Sequence, residues 1–243
     1  MKLSNSDLNF VLSRCPRDII KLLRDNAGTL FIAGGFIRAT IAGEKVSDVD
    51  LFGVSKDDLL RIAKDLTLER KGRFFSTDNA ITVLSPPRFP VQFITRWLFS
   101  KAAQLVASFD FTVCQAVIWA EQLDGDPVTG KKRYRFHSLI SDAFYPDLAA
   151  RRLVYTYPLR DEDVGGSLLR VIKFVKKGYN VQAPTLAGVI ARVMNKIDFN
   201  KADSERQRAM VVTGLLREVD PLTVIDGVDF VDEHEVLNEE VAA

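Results

Sequence analysis

Hydrophobic positions at Leu8, Val11, Leu12, Ile19, Ile20, Leu22 and Leu23 recur at helical spacing, predicting one or two helices that Asn26-Ala27-Gly28 brings to an end. The rhythm then changes. The short, continuously apolar run Thr29-Leu30-Phe31-Ile32-Ala33 predicts a buried strand, terminated by Gly34 and Gly35. Residues 36–42 suit a short helix closed by Gly43, and residues 49–54 a second strand. Residues 56–68 read as a surface helix with Leu59, Leu60, Ile62, Ala63 and Leu66 turned inward. Two further strands, 80–84 and 91–95, are joined through Pro86, Pro87 and Pro90, which demand a turn. A helix over 101–107, a strand over 113–120 and a loop over 124–130 follow. Beyond about residue 140 the pattern becomes helical, with segments 168–177, 186–197 and 204–219 separated by Gly178, Pro184 and Asn200-Lys201-Ala202-Asp203. The predicted protein is α+β: a mixed sheet of about five strands with flanking helices over residues 1–140, a helical part over 141–220, and a frayed acidic tail over 221–243, helical in pattern only at 231–241.

Composition changes this picture little but excludes several classes. The 243 residues are 47% hydrophobic and 27% charged, the balance of a globular protein with an ordinary core. Lys plus Arg number 33 against 32 Asp plus Glu, so any cationic surface must be local. Cys15 and Cys114 are too few for a disulfide framework and read as buried small hydrophobes, while His137 and His234 lack zinc-site spacing. The first residues lack the apolar core of a signal peptide, and no run approaches the roughly 20 apolar residues that span a bilayer. A cytoplasmic protein with no membrane partner is expected.

The chemistry concentrates in two places. Asp48 and Asp50 flank Val49, and residues two apart on a strand project to the same side. Two carboxylates so placed can share a pair of divalent cations about 4 Å apart, an arrangement suited to phosphoryl transfer. Upstream, Gly34 and Gly35 let the backbone approach a phosphate closely, the amides of the following helix can donate to it, and Arg38 can add a bidentate charged donor. Further along, Arg170 and Lys173 share one helical face within a cationic edge that includes Lys176 and Lys177. The basic run Lys131-Lys132-Arg133-Tyr134-Arg135 beside His137 reads as a surface strand, and Trp97, Phe99, Phe109 and Phe111 as core.

In order, these segments resemble the polymerase-β-like nucleotidyltransferase superfamily, in particular the head and neck of class II tRNA nucleotidyltransferases and bacterial poly(A) polymerases. Gly34-Gly35-Phe36-Ile37-Arg38 and Asp48-Val49-Asp50 are similar to that family's head motifs. Phe109-Asp110-Phe111-Thr112-Val113-Cys114-Gln115-Ala116 is similar to its Arg-Arg-Asp-Phe-Thr-Ile-Asn-Ala segment. Asp147-Leu148 with Arg151 to Leu153 and Pro158 resembles the lead into the neck, and the stretch from Asp163 to Phe174 resembles the opening of the nucleotide-selecting neck helix. The resemblance spans roughly residues 28–180. It implies a Mg²⁺- or Mn²⁺-dependent enzyme that moves NMP from an NTP, with ATP among the candidates, to an acceptor hydroxyl, foremost an RNA 3′ end such as that of a tRNA. It further implies metal binding and catalysis by Asp48 and Asp50, nucleotide binding by Gly34, Gly35, Arg38, Asp110, Asp163, Arg170 and Lys173, and a nucleotide held between head and neck. Departures accompany it. The third acidic strand position falls on Gln92, the paired arginines on Ser108 and Phe109, and the base-reading Asp and Arg on Val164 and Ser167, with Asp163 one residue off register. The family's longer members continue through further helical domains that grip tRNA, so complete CCA addition is not expected. Transfer onto a protein side chain and a catalytically silent nucleotide- or RNA-binding role stand as the alternatives.

Overall fold

The strand β1 (Leu30–Ala33) is buried along its whole length, as its unbroken apolar run requires, and it is an interior strand of a seven-stranded sheet. The computed structural model describes residues 1–125, 132–159 and 163–217; the expected tail and its helical signal, with most of the 124–130 loop, lie outside the described residues. In chain order the elements are α1 (Asn5–Arg14), α2 (Arg17–Asp25), β1, α3 (Gly35–Ala42), β2 (Val49–Gly53), α4 (Lys56–Arg70), β3 (Arg73–Ser76), β4 (Ala80–Leu84), β5 (Val91–Ile94), α5 (Ala102–Ser108), β6 (Ala116–Leu123), β7 (Arg133–Ile140), α6 (Phe144–Ala149), β8 (Arg152–Leu153), α7 (Val164–Lys176), β9 (Asn180–Val181), α8 (Ala183–Met194) and α9 (Glu205–Arg217).

The sheet runs β3-β4-β5-β2-β1-β6-β7, and β2 with β5 is its parallel pair among antiparallel neighbours. It is therefore mixed, with two strands more than the five the hydrophobic pattern predicts. Alternation along β2 separates its two faces. A Cβ on Gly53 would lie 2.8 Å from Leu59 Cδ2, so Val49, Leu51 and Gly53 face α4. Phe52 points the other way, into a core shared with Phe31, Ala33, Val117 and, from α5, Leu105 and Val106. Helix α4 buries Leu59, Ile62, Ala63 and Leu66, one stripe at helical spacing, and is capped by Ser55, whose hydroxyl accepts from the Asp58 amide at 3.1 Å. Both cysteines are buried, and burial, with the nearby Asp18 charge, pushes the Cys15 thiol up to about 12.

Among the described residues the chain forms two compact units, residues 1–109 with 114–144, and residues 110–113 with 145–217. The first holds the sheet. The second is mostly helical, built on α7, α8 and α9 around Phe111, Tyr155, Phe174 and Tyr179, whose rings meet at centroid distances of 5.0 to 5.9 Å. Gly165 lies where α9 crosses α7, and a Cβ there would run into the Leu215 carbonyl.

Candidate functional site

Antiparallel pairing with Ile32 opposite Leu51 means that β1 ends where β2 begins. Gly34 and Gly35 therefore emerge at the same end of the sheet as Asp48 and Asp50. Strand β5, parallel to β2, also starts there, with Pro90 accepting from the Val49 amide at 3.0 Å and Gln92 directly beside Asp50. Cross-strand neighbours share a face, so Asp50, Gln92 and, on β4, Thr82 form a polar row on the face opposite α4. Thr82 is buried and its hydroxyl has no hydrogen-bond partner among the described residues. Continuing the alternation one residue before β2 puts Asp48 on the side of Asp50, and both are half-buried. The Ser47 hydroxyl donates to Asp48 Oδ1 at 2.7 Å.

The two glycines differ in kind. Gly34 caps α3 with φ of 72° and ψ of −120°, and a Cβ on it would meet the Phe109 ring at 3.0 Å. Its identity is accounted for by backbone conformation and by that ring. A Cβ on Gly35 would meet nothing within 4 Å, so the first turn of α3 presents open backbone. Arg38, on the same helix, is buried, with its Nε 3.4 Å from Glu44 Oε2 and its guanidinium 3.9 Å from Cys114 Sγ. Nothing in the local sequence pattern singles out Glu44, which reaches Arg38 only because the turn at Gly43 folds the chain back.

Three more of the expected nucleotide-binding residues come together in the second unit. Asp110, 1% exposed, accepts from Ser167 Oγ at 2.9 Å and from Arg170 Nε at 2.8 Å. Arg170 also binds Asp163, the residue that caps α7 in a left-handed conformation with φ of 58°. A Cβ on Gly166 would overlap the Asp163 carboxylate, so Gly166 makes room for this pair. Burial opposes the Arg170 charge, but the Asp110 and Asp163 carboxylates and their hydrogen bonds outweigh it and raise its pKa, fixing the guanidinium as a cation. Lys173, half-buried one turn along α7, is not part of the cluster. Sequence reasoning missed Ser167 as a partner, and the Gly165-Gly166 pair inside a helical pattern was the signal that pointed to close packing there. It also missed the neighbouring pair in which Asp147 accepts from Arg152 at 2.6 Å and from the Thr112 hydroxyl at 2.6 Å.

Whether these residues suit a metal turns on the donor set. Among the described residues no group of three or more His, Cys, Asp or Glu side chains could hold an ion. Asp48 and Asp50 offer two carboxylates with the Gln92 amide beside Asp50. Mg²⁺ is commonly held by one or two carboxylates, with waters and substrate phosphates filling the remaining positions, so the pair fits that ion when a triphosphate is present.

The mixed sheet with flanking helices, followed by a helical part, is consistent with a nucleotidyltransferase-like fold, which its likeness to solved structures shows. Solved structures with this fold include a Thermotoga maritima CCA-adding enzyme complexed with tRNA, at 16% identity and a TM-score of 0.52 over 88% of this chain and 51% of that one. A CCA-adding enzyme in complex with ATP matches at 18% identity and a TM-score of 0.54, over 88% of this chain and 50% of that one. A tRNA-processing enzyme in an apo form matches at 15% identity and a TM-score of 0.50, over 90% and 61%. The chain thus spans about half the length of the CCA-adding enzymes, and at such identities the likeness concerns the fold alone. No curated protein matches the chain. Its family is another: the model of the Gabija anti-defense 2 (Gad2) family matches residues 3–151, and the protein belongs to that family. The sequence resemblance to tRNA nucleotidyltransferases therefore holds at the level of fold, not of family. No helix among the described residues is long and apolar enough to cross a membrane.

Proposed function

We propose that the protein is a divalent-metal-dependent nucleotidyltransferase that moves NMP from an NTP to an acceptor hydroxyl, acting in the cytoplasm with an RNA 3′ end as the first candidate acceptor. The observation that carries this reading is the convergence of Asp48, Asp50 and the open first turn of α3 at one end of the sheet. In the reaction the acceptor oxygen bonds to the α-phosphorus, the α–β bridging bond breaks, pyrophosphate leaves and the hydroxyl gives up its proton. When bound, Mg²⁺ or Mn²⁺ would supply Lewis-acid stabilisation of the α-phosphate and acidify the attacking hydroxyl. Asp48 and Asp50 would be the ligands that hold the ions. Gly34 shapes the turn, and Gly35 with the α3 amides approaches the triphosphate. Arg38 orders this helix through Glu44 and stands behind the phosphates as a fixed positive charge. In the second unit Asp110 and Asp163 hold the Arg170 fork in one orientation.

The family description favours a second acceptor. A protein that opposes a defence system can act by modifying one of its components, and transfer of NMP onto a protein side chain would use the same two aspartates. One experiment separates the readings: incubation with each α-³²P-labelled NTP, Mg²⁺ and either total RNA or cell lysate. Label removed by ribonuclease supports RNA as acceptor, and label removed by protease supports a protein. Asp48→Ala and Asp50→Ala should each abolish labelling, on the order of 10³-fold or more as expected for removal of a metal ligand. Undiminished labelling by the double variant refutes the assignment. Nucleotide binding indifferent to Mg²⁺, with no pyrophosphate released by the native protein, identifies a silent binding protein instead.

A further inference from the structure

On the opposite side of the sheet from Asp50, the first unit carries a groove of about 670 Å³, within the range of about 300–1,000 Å³ usual for ligand pockets. Its cationic rim is formed by Arg14 at the end of α1, Arg17 and Lys21 on α2, and Arg88 in the β4–β5 loop. Asp18, in its lining, is paired with the buried Arg70. The Arg70 side chain, 0% exposed, donates to both carboxylate oxygens of Asp18 at 2.8 and 3.1 Å and to the Phe89 carbonyl at 3.0 Å. Arg70 thus ties α4 to α2 and pins the loop that presents Arg88 and Phe89, so the groove is held in shape by three separate parts of the chain.

The charges on that frame do not cancel. Asp18 pairs with Arg70 and, at 3.6 Å, with the 54% exposed Arg88, and Glu69 is the remaining acidic side chain in the lining, so Arg14, Arg17, Lys21, Arg88 and Arg70 together outnumber the two carboxylates. In a protein of net charge +1 this is a local concentration of positive charge. Between the cations lie flat apolar groups: Phe89, 40% exposed, with Pro16 and Pro87. Alternating cations and exposed aromatic surface is the arrangement that pairs phosphates while stacking bases.

We infer that this groove binds single-stranded nucleic acid at a site separate from the transfer chemistry. Arg14, Arg17, Lys21 and Arg88 pair with successive phosphates and Phe89 stacks on a base. No metal and neither aspartate takes part, so the site stands whether or not the protein transfers nucleotides.

The test is fluorescence anisotropy with the full chain, using fluorescein-labelled twelve-nucleotide oligo-U RNA and oligo-dT DNA across a salt series. Each phosphate contact on a single strand contributes about −0.7 to the slope of log K against log salt, so Arg17→Ala/Lys21→Ala should reduce the slope's magnitude by about 1.4 and weaken binding at least tenfold. Phe89→Ala should weaken binding about tenfold and leave the slope unchanged. Asp48→Ala/Asp50→Ala should bind as the native chain does, which separates failure here from failure of the transferase reading. Far-UV circular dichroism confirms that the exposed-residue variants remain folded. Binding insensitive to Arg17→Ala/Lys21→Ala overturns the proposal. So does competition by poly-glutamate as strong as that by RNA with no effect of Phe89→Ala, which would mark a docking surface for an acidic protein.

Discussion

Arg170→Ala tests the cluster that orders the second unit. In the native chain one guanidinium serves two carboxylates, Asp110 at 1% exposure and Asp163 at 4%, and Ser167 completes the set. Removing it leaves two buried carboxylates without the cation they share. Breaking a buried ion pair costs about 3–5 kcal/mol. Because the Arg170 side chain is 28% exposed, water screens part of the effect and about 3 kcal/mol is expected. With a urea dependence of about 1–3 kcal/mol per molar, the unfolding midpoint should fall by about 1–3 M. Both tryptophans, Trp97 and Trp119, belong to the first unit, while α7, α8 and α9 belong to the second. Urea titration should therefore be followed twice, by far-UV circular dichroism for the helices and by tryptophan emission as an internal reference. Arg170→Lys, which keeps the charge but loses the fork, should give an intermediate loss. Adding Asp163→Asn to Arg170→Ala removes one of the two like charges and should recover part of it. A dichroism midpoint for Arg170→Ala equal to the native one would refute the reasoning.

Gly34→Ala forces a side chain into a positive-φ conformation against the Phe109 ring and should cost about 1–3 kcal/mol in denaturant titration, whereas Gly35→Ala meets open space and should cost nothing in stability while reducing nucleotide affinity. Burial alone would raise the Asp18 carboxyl, but hydrogen bonds and charge from Arg70, with the Ile19 amide and Arg88, outweigh it and hold its pKa below the usual carboxylate value. A folded-state value depressed in this way contributes stability above the unfolded pKa of about 4 that is lost as pH falls through the folded value. Asp18→Asn should accordingly cost about 3 kcal/mol at pH 7 by stranding buried Arg70, and the gap to the native protein should narrow below about pH 4 in calorimetric scans. Cys15, with its thiol pushed up to about 12, should resist iodoacetamide in the native protein at pH 8 and react once urea unfolds it, as read by peptide mass spectrometry.

What the sequence revealed and what it concealed divide along the distance between interacting residues. The β1 strand, the glycine turn, α3, β2 and α4 each declare themselves within a dozen residues, and the structure has them with bounds shifted by two positions at most. Strand β3 did not, because its adjacent Phe74 and Phe75 are both buried and break the expected alternation; it exists by pairing with β4. Strand β7 was legible as a surface strand at its basic start, but exposed Arg133 and Arg135 weaken the apolar signal that would have carried it to Ile140. Helix α7 starts at Val164, four residues before the predicted 168, because Gly165 and Gly166 argue against a helix locally while the Leu215 carbonyl and the Asp163 carboxylate require them. At the candidate site Gln92 was singled out by the family resemblance, while its place beside Asp50 comes from the parallel pairing of β2 with β5. The joining of Asp110 to Arg170, sixty positions away, and of Arg38 to Glu44 was not legible, because such contacts are made by tertiary packing.

Residues 110–113 belong to the helical unit although the stretches on either side of them belong to the sheet unit. No single cut separates the two. A fragment beginning at Tyr145 would lack the carboxylate that accepts from Arg170 Nε, the Phe111 ring that meets Phe174 at 5.8 Å, and the Thr112 hydroxyl that donates to Asp147. On a ribosome this four-residue piece is synthesised well before the helices it serves, so the carboxyl-terminal part cannot mature as an independent module, and an insertion or permutation point placed at this crossing should be among the least tolerated in the chain.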